Sequence, residues 1–253
     1  MLGIYWQGAN KAGDRISRSS LPENYYKNTG DKLVDLEGFT FLENNPFVIK
    51  KEDIHPNTLS RVERRNLWNY SIGADVTHCK TMAHEICKNW GLEKCYLTSP
   101  RLYRFENSYV YPKTMVINTT GDNQGAMSLK ILNTIREKYH DYLCYQIGGI
   151  NDVDFNYDID RRGMDFWLVA KLISESELYI GPDSFCHWIA KCYPRIRRKI
   201  LLVNKNEERC ENFFPRGLND HSNPFDTWLE CDGADYYNIF QQDYGITKSY
   251  LSL

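Results

Sequence analysis

Residues Leu178–Ala190 read LYIGPDSFCHWIA, and this stretch decides the fold. An apolar run of strand type, Leu178–Ile180, ends in Gly181-Pro182. Asp183 and Ser184 then stand where a helix, Ser184–Cys192, is predicted to begin, and His187 falls one turn into it. Asp and Ser are good helix N-caps, and a helix N-terminus aims free N–H groups and a positive dipole end at an anion. A strand running into such a terminus at the carboxyl edge of a parallel sheet is where α/β proteins hold phosphorylated ligands.

Working outward, the same alternation recurs. Thr114–Asn118 reads as a strand, followed by the small-residue loop Thr119–Gly125 and a helix over Ser128–Lys138. Tyr142–Ile147 is the next strand and ends in Gly148-Gly149. Asp165–Ser174 is a helix, and Lys199–Val203 a strand. Strands alternating with helices at this spacing predict a parallel, doubly wound α/β sheet.

The first half is less regular. Gly3–Trp6 is a strand candidate, the loop Gln7–Gly13 leads to Asp14, and a polar helical stretch ends near Leu21-Pro22. Glu23–Thr29 reads as a helix closed by Gly30, Lys32–Leu36 as a strand, and Pro46–Ile49 as a candidate third strand. Asn57–Trp68 is charged and helical in character. Thr77–Trp90 has Met82, Ile86 and Trp90 at four-residue spacing, with Gly91 as its stop. Cys95–Leu97 is a strand candidate, and Thr98–Arg101 breaks the pattern. The expected organisation is therefore two domains, 1–100 and 101–253.

Bulk properties narrow the function. A net charge of −2 gives no sign of a nucleic-acid partner, and the basic run Arg195–Lys199 reads as a solvated helix end. The N-terminus lacks the apolar run of a signal peptide, and no stretch approaches the ~18 apolar residues of a membrane span. The eight cysteines are expected as reduced thiols, and the protein as cytoplasmic. Basic or aromatic surface would permit peripheral membrane contact, although no amphipathic segment marks one.

Four groups fall at predicted strand ends: Asp14; Thr119, Thr120 and Gly121; Gly148 and Gly149; and Asp183, Ser184 and His187. Small residues there let backbone amides approach a phosphate. Taken singly, each has an ordinary structural explanation, since glycine pairs mark turns and a buried histidine commonly bonds to backbone. Their joint placement at one sheet edge is what points to a site.

The segment Met115–Ala190 resembles the nucleotide-sugar-binding domain of GT-B glycosyltransferases, and in particular the ADP-heptose:lipopolysaccharide heptosyltransferases of glycosyltransferase family nine. The resemblance rests on the strand with its small polar loop, the strand ending in Gly-Gly, and Ile180–Ala190 against the pattern iG-x-D-S-G-x-x-H-x-A. Gly13-Asp14, followed by Pro22, is similar to the family's G-D loop. The resemblance implies two Rossmann-like domains facing a cleft, the N-terminal one reduced. It also implies an inverting, metal-independent transfer from a nucleotide-diphosphate sugar to a surface glycan or glycolipid acceptor, as in lipopolysaccharide or capsule biosynthesis. Asp14 would be the general base. Thr119, Thr120, Gly121 and Ser184 would hold the diphosphate, and Asp183 would bind donor-sugar hydroxyls. His187 would orient Asp183 or touch phosphate, and Gly148-Gly149 would line the nucleotide cleft. No cofactor is implied beyond the donor itself. Phe185 stands where the family pattern has glycine, which leaves room for a donor other than ADP-heptose.

Two other signals compete. Asp152-Val-Asp154 and Asp158-Ile-Asp160 have the Asp-x-Asp form that holds divalent cations in metal-dependent transferases; solvated loop carboxylates are the plainer expectation. His78, Cys79, His84, Cys87 and Cys95 suggest zinc by number but lack a Cys-x-x-Cys knuckle, so core thiols are expected. A non-catalytic nucleotide-sugar-binding protein is the rival from outside enzymology.

Overall fold

The computed structural model describes residues 1–8, 12–67, 82–121, 125–127, 129–182, 184–203 and 235–238. The chain divides into two units, Met1–Glu106 and Asn107–Leu253, each mixed α/β around a parallel sheet.

In the first unit, β1 (Leu2–Tyr5) is followed by the short α1 (Ala12–Ile16) and by α2 (Leu21–Thr29). Then come β2 (Leu33–Asp35), β3 (Val48–Lys50), a helical turn α3 (Pro56–Leu59), β4 (Glu63–Asn66) and α4 (Met82–Asn89). The sheet order is β3-β2-β1-β4, with all pairs parallel. Ile4, Leu33 and Val34 are fully buried in it.

Three expectations fail here for local reasons. Leu21-Pro22 starts a helix rather than ending one, because proline is tolerated in a first turn where its missing N–H has no partner to lose. The charged segment after Leu59 is the edge strand β4, not a helix. Its exposed Glu63 and Arg64 are what a solvated sheet edge tolerates. Cys95–Leu97 forms no strand, because the Asn24 side chain takes its backbone bonds. Asn24 Oδ1 accepts from the Tyr96 and Leu97 N–H groups at 2.7 and 2.9 Å, and Asn24 Nδ2 donates to the Leu97 carbonyl.

The second unit begins with β5 (Tyr111–Asn118), the small hairpin β6 (Thr120–Gly121) and β7 (Gly125–Ala126), and α5 (Leu129–Lys138). It continues through β8 (Leu143–Ile147), β9 (Ile159–Asp160), α6 (Phe166–Ser174), β10 (Ser176–Pro182), α7 (Phe185–Lys191), β11 (Arg198–Val203) and β12 (Asp235–Asn238). The loop expected over Thr119–Gly125 is thus the start of a hairpin, with Thr120 opposite Ala126. Six parallel strands run β12-β11-β10-β5-β8-β9.

Strands covered on both faces need apolar side chains at successive positions, and Met115–Ile117 and Leu178–Ile180 supply them. With Leu132, Ile135, Cys144 and Ile200 they close the core of this unit. Burial pushes the Cys144 thiol up to about 12. Asp165 caps α6 by accepting from the Trp167 and Leu168 N–H groups. No helix among the described residues is long and apolar enough to cross a membrane.

Candidate functional site

The second unit's sheet dictates where a ligand fits. From β5 the chain winds outward to β8 and β9, then returns past β5 to build β10, β11 and β12. The winding reverses between β5 and β10, and the crevice outside the carboxyl ends of those two strands is the topological switch point that binds ligands in open α/β sheets.

Asn118 ends β5 there and is 2% exposed. Its Nδ2 donates to the Thr120 carbonyl at 3.0 Å and to Ser184 Oγ at 2.9 Å. One buried amide therefore ties the loop after β5 to the residue preceding α7. Asn118 Oδ1 and Thr120 Oγ1 are buried without a hydrogen-bond partner. Buried polar atoms are rarely left so, and an acceptor and a hydroxyl at this edge can complete their bonds with a ligand or water. Ser184 is half-buried and Gly121 is buried in β6.

Thr119 faces inward. It is fully buried; its hydroxyl lies 3.4 Å from the Val153 carbonyl, while Gln146 Nε2 donates to that carbonyl at 2.6 Å. Its carbonyl accepts from the Met127 N–H at 2.9 Å, which steadies the hairpin.

Gly148-Gly149 also performs a local task. Gly148 has φ +123°, and a β-carbon there would collide with Asp152 Oδ2 and lie 2.7 Å from Asn118 Oδ1. The space beside the glycine pair holds the Asp152 carboxylate, which accepts from the Gly149 N–H at 2.9 Å. Absence of a side chain at 148 is thus what leaves room there for the Asp152 carboxylate and the Asn118 amide oxygen.

His187 is 1% exposed, 6.1 Å from the Tyr179 ring, and neither ring nitrogen has a hydrogen-bond partner. Burial, and then the charges of Lys191 and Lys199, hold its pKa well below 6.5, so the imidazole is neutral. Asp183 lies outside the described residues. The backbone of Asp14 lies in α1 of the first unit, and its side chain lies outside what is described.

The Asp-x-Asp carboxylates are engaged by neighbours. Arg136 Nη2 donates to both oxygens of Asp158 at 2.9 and 3.0 Å, and the Cys144 N–H donates to the same carboxylate. Arg162 holds Asp160, whose carboxyl is lowered to about 2 chiefly by that bond. Among the described residues no group of three or more His, Cys, Asp or Glu converges as a metal site. The suspected zinc set keeps only His84, Cys87 and Cys95 in view, since His78 and Cys79 lie outside the described residues. Cys87 and Cys95 are free thiols hydrogen-bonded to one another, which raises the Cys87 thiol and lowers that of Cys95.

Sequence reasoning missed Asn118 and Asp152. In the sequence Asn118 reads only as the last residue of a strand, and Asp152 as one carboxylate of an acidic loop.

No protein-family model and no curated protein sequence matches the chain. Solved structures do. The iron-containing dodecameric glycosyltransferase TibC of enterotoxigenic E. coli H10407 superposes with TM-score 0.56 at 14% identity, over 83% of this chain and 61% of TibC. The chain therefore spans less than two thirds of that structure. TibC in complex with ADP-D-β-D-heptose gives TM-score 0.60 at 13% identity, over 90% of this chain and 72% of that one. The E. coli ADP-heptose lipopolysaccharide heptosyltransferase II gives 0.59 at 11% identity, over 100% and 97% of the two chains. A glycosyltransferase family 9 protein from Veillonella parvula gives 0.54 at 12%, over 79% of each. The chain has the fold of the heptosyltransferases of glycosyltransferase family nine.

Proposed function

We propose that the chain is a glycosyltransferase that takes a nucleotide-diphosphate sugar at the switch point of its second unit and transfers the sugar to a glycan or glycolipid acceptor. One observation carries this reading. The buried amide of Asn118 joins Thr120 and Ser184 at the crevice where β5 and β10 part, in a fold shared with a heptosyltransferase solved with ADP-D-β-D-heptose.

On this reading the two units are the two halves of a GT-B enzyme, the first serving the acceptor and the second the donor. Asp14 acts as general base on the acceptor hydroxyl, and inversion follows from direct attack on the anomeric carbon. Thr120, Gly121 and Ser184 bind the diphosphate, and hydrogen-bond donors there stabilise the charge that develops on the leaving group. Asp183 binds the donor sugar. The transfer needs no metal, a reading supported by the commitment of Asp158 and Asp160 to arginine partners. The enzyme works in the cytoplasm, on an acceptor destined for lipopolysaccharide or capsule.

The test is turnover and donor binding measured on the same variants. Asp14→Asn is expected to abolish transfer while keeping the donor Kd, and Asp183→Ala to lose donor binding. Full activity in Asp14→Asn would remove the general-base assignment. A wild-type chain that binds donor but transfers to no acceptor would instead make it a nucleotide-sugar-binding protein.

A further inference from the structure

Cys87 lies in the last turn of α4, and Cys95 follows eight positions later. Gly91, at φ +68°, closes the helix with two backbone bonds. Its own N–H donates to the Lys88 carbonyl at 2.9 Å, and the Leu92 N–H donates to the Cys87 carbonyl at 2.9 Å. This closure, built on a left-handed glycine, turns the chain sharply out of the helix. The segment that follows is clasped to α2. Asn28 Nδ2 donates to the Lys94 carbonyl at 2.8 Å, the Lys94 N–H donates to Asn28 Oδ1 at 3.1 Å, and Asn24 Oδ1 accepts from the Tyr96 and Leu97 N–H groups. Cys95 thus stands between two residues whose backbones are tied down, with its sulfur in hydrogen-bond contact with that of Cys87.

The two sulfurs differ as an attacking and a resolving thiol should. Among the described cysteines, Cys87, Cys144, Cys186 and Cys192 are buried, whereas Cys95 is partly exposed. The Cys87 S–H donates to Cys95, which favours the Cys95 thiolate and opposes ionisation of Cys87; burial opposes the latter further. The thiolate, not the thiol, is the form that oxidants attack. Cys95 Sγ also donates to the Leu97 carbonyl at 3.1 Å. Ionisation gives that bond up without leaving the carbonyl unpaired, because Asn24 Nδ2 donates to it at 3.0 Å. A structural zinc needs four ligands, and among the described residues no third His, Cys, Asp or Glu converges on the pair.

We propose that Cys95 and Cys87 are a peroxide-responsive pair that closes to a reversible disulfide, with Cys95 oxidised first and Cys87 resolving it. Hydrogen peroxide is the oxidant. The Cys95 thiolate attacks one peroxide oxygen and the O–O bond breaks, leaving a sulfenic acid on Cys95; the departing hydroxide takes up the proton that Cys95 lost and leaves as water. The Cys87 sulfur then attacks the Cys95 sulfur. The S–S bond forms, the S–O bond breaks, and the hydroxyl leaves with the Cys87 proton as a second water. Two thiols and one peroxide give one disulfide and two waters, and a dithiol reverses the change. Sulfurs already in contact need only close to about 2.05 Å. The bond staples the end of α4 to the segment that Asn24 and Asn28 hold on α2. It involves neither donor nor acceptor sugar, so it stands apart from the transferase reading.

The experiment treats the fully reduced full-length chain with hydrogen peroxide and blocks the remaining thiols with iodoacetamide in timed samples. Unreduced tryptic digests are then mapped by mass spectrometry. Trypsin cuts after Lys88 and Lys94, so the bond is expected as peptides 81–88 and 95–101 joined through Cys87 and Cys95, and as separate peptides after dithiothreitol. Cys95 should be oxidised at least about tenfold faster than Cys144, whose burial pushes its thiol up to about 12. The melting temperature of the oxidised chain should rise by about 5 °C and return on reduction. In Cys87→Ser, dimedone should trap a sulfenic acid at Cys95; in Cys95→Ser, Cys87 should stay unlabelled. Missing joined peptides, a Cys95 rate no faster than that of Cys144, or a bond from either residue to another cysteine overturns the pair. A bond that forms and leaves the melting temperature unmoved overturns the staple. Should a serine variant not fold, the wild-type map and rates decide alone.

Discussion

Asn118 Nδ2 donates to Ser184 Oγ at 2.9 Å, so the last residue of β5 is bonded to the residue that opens α7 across the point where the sheet reverses its winding. The same nitrogen donates to the Thr120 carbonyl. These bonds bring two segments 66 residues apart to one crevice. Asn118→Ala should cost about 1–3 kcal/mol of stability, the usual cost of unpairing buried polar groups. It should also weaken nucleoside diphosphate binding. Chemical denaturation and calorimetric titration measure the two effects, and an unchanged diphosphate Kd would detach Asn118 from the site.

A second prediction concerns Gly148. With φ +123° and the Asp152 carboxylate where a β-carbon would go, Gly148→Ala incurs both backbone strain and a collision. The expected loss is about 2 kcal/mol or more. Gly163→Ala has positive φ but only van der Waals neighbours, from 3.8 Å, and should lose less. Equal losses would mean that the close approach of Asp152 is not what fixes glycine at 148.

How far this crevice could be seen in the sequence depends on which atoms make it. The apolar runs Met115–Ile117 and Leu178–Ile180 announce strands buried on both faces, and the helices between them follow from apolar spacing. The first unit hid more. Its edge strand Glu63–Asn66 is polar because one side meets solvent, so composition imitates a helix. The segment at Tyr96 and Leu97 bonds to an Asn24 side chain more than seventy residues away, which no local pattern reports. Thr119 reads as a phosphate contact in the sequence, yet it is fully buried with its hydroxyl 3.4 Å from the Val153 carbonyl. Long-range side-chain bonds, not local propensities, decide how these residues meet at the candidate site.

His187 makes stability depend on pH. Unfolded, it protonates near pH 6.5; folded, burial and the nearby Lys191 and Lys199 charges keep it neutral well below that. The unfolded state therefore binds the extra proton. Stability is full above pH 6.5 and falls as pH drops through it, by at most about 1.4 kcal/mol per unit for one proton. Melting temperatures at pH 7.5 and 5.5 should show this fall, and His187→Gln should flatten it. An identical slope in the variant would place the titrating group elsewhere.

Arg136 tests the assignment of the acidic loop. Besides Asp158, it bonds the carbonyls of Tyr139 and Tyr142 at 2.9 and 2.8 Å. Arg136→Ala should therefore destabilise the protein by about 1–3 kcal/mol, seen by denaturation. Nucleoside diphosphate affinity should be the same with EDTA as with magnesium. Affinity that collapses in EDTA would turn the Asp-x-Asp loop into a metal site and reverse its structural assignment.

The central claim is that a nucleoside diphosphate occupies the crevice between β5 and β10. Hydrogen–deuterium exchange on the wild-type chain, with and without saturating ADP and with UDP and GDP in parallel, tests it most directly. At least one of them is expected to slow exchange in peptides covering residues 118–127 and 181–187, and to leave the β4 region unchanged. Protection confined to other segments, or none with any of the three, would contradict the account.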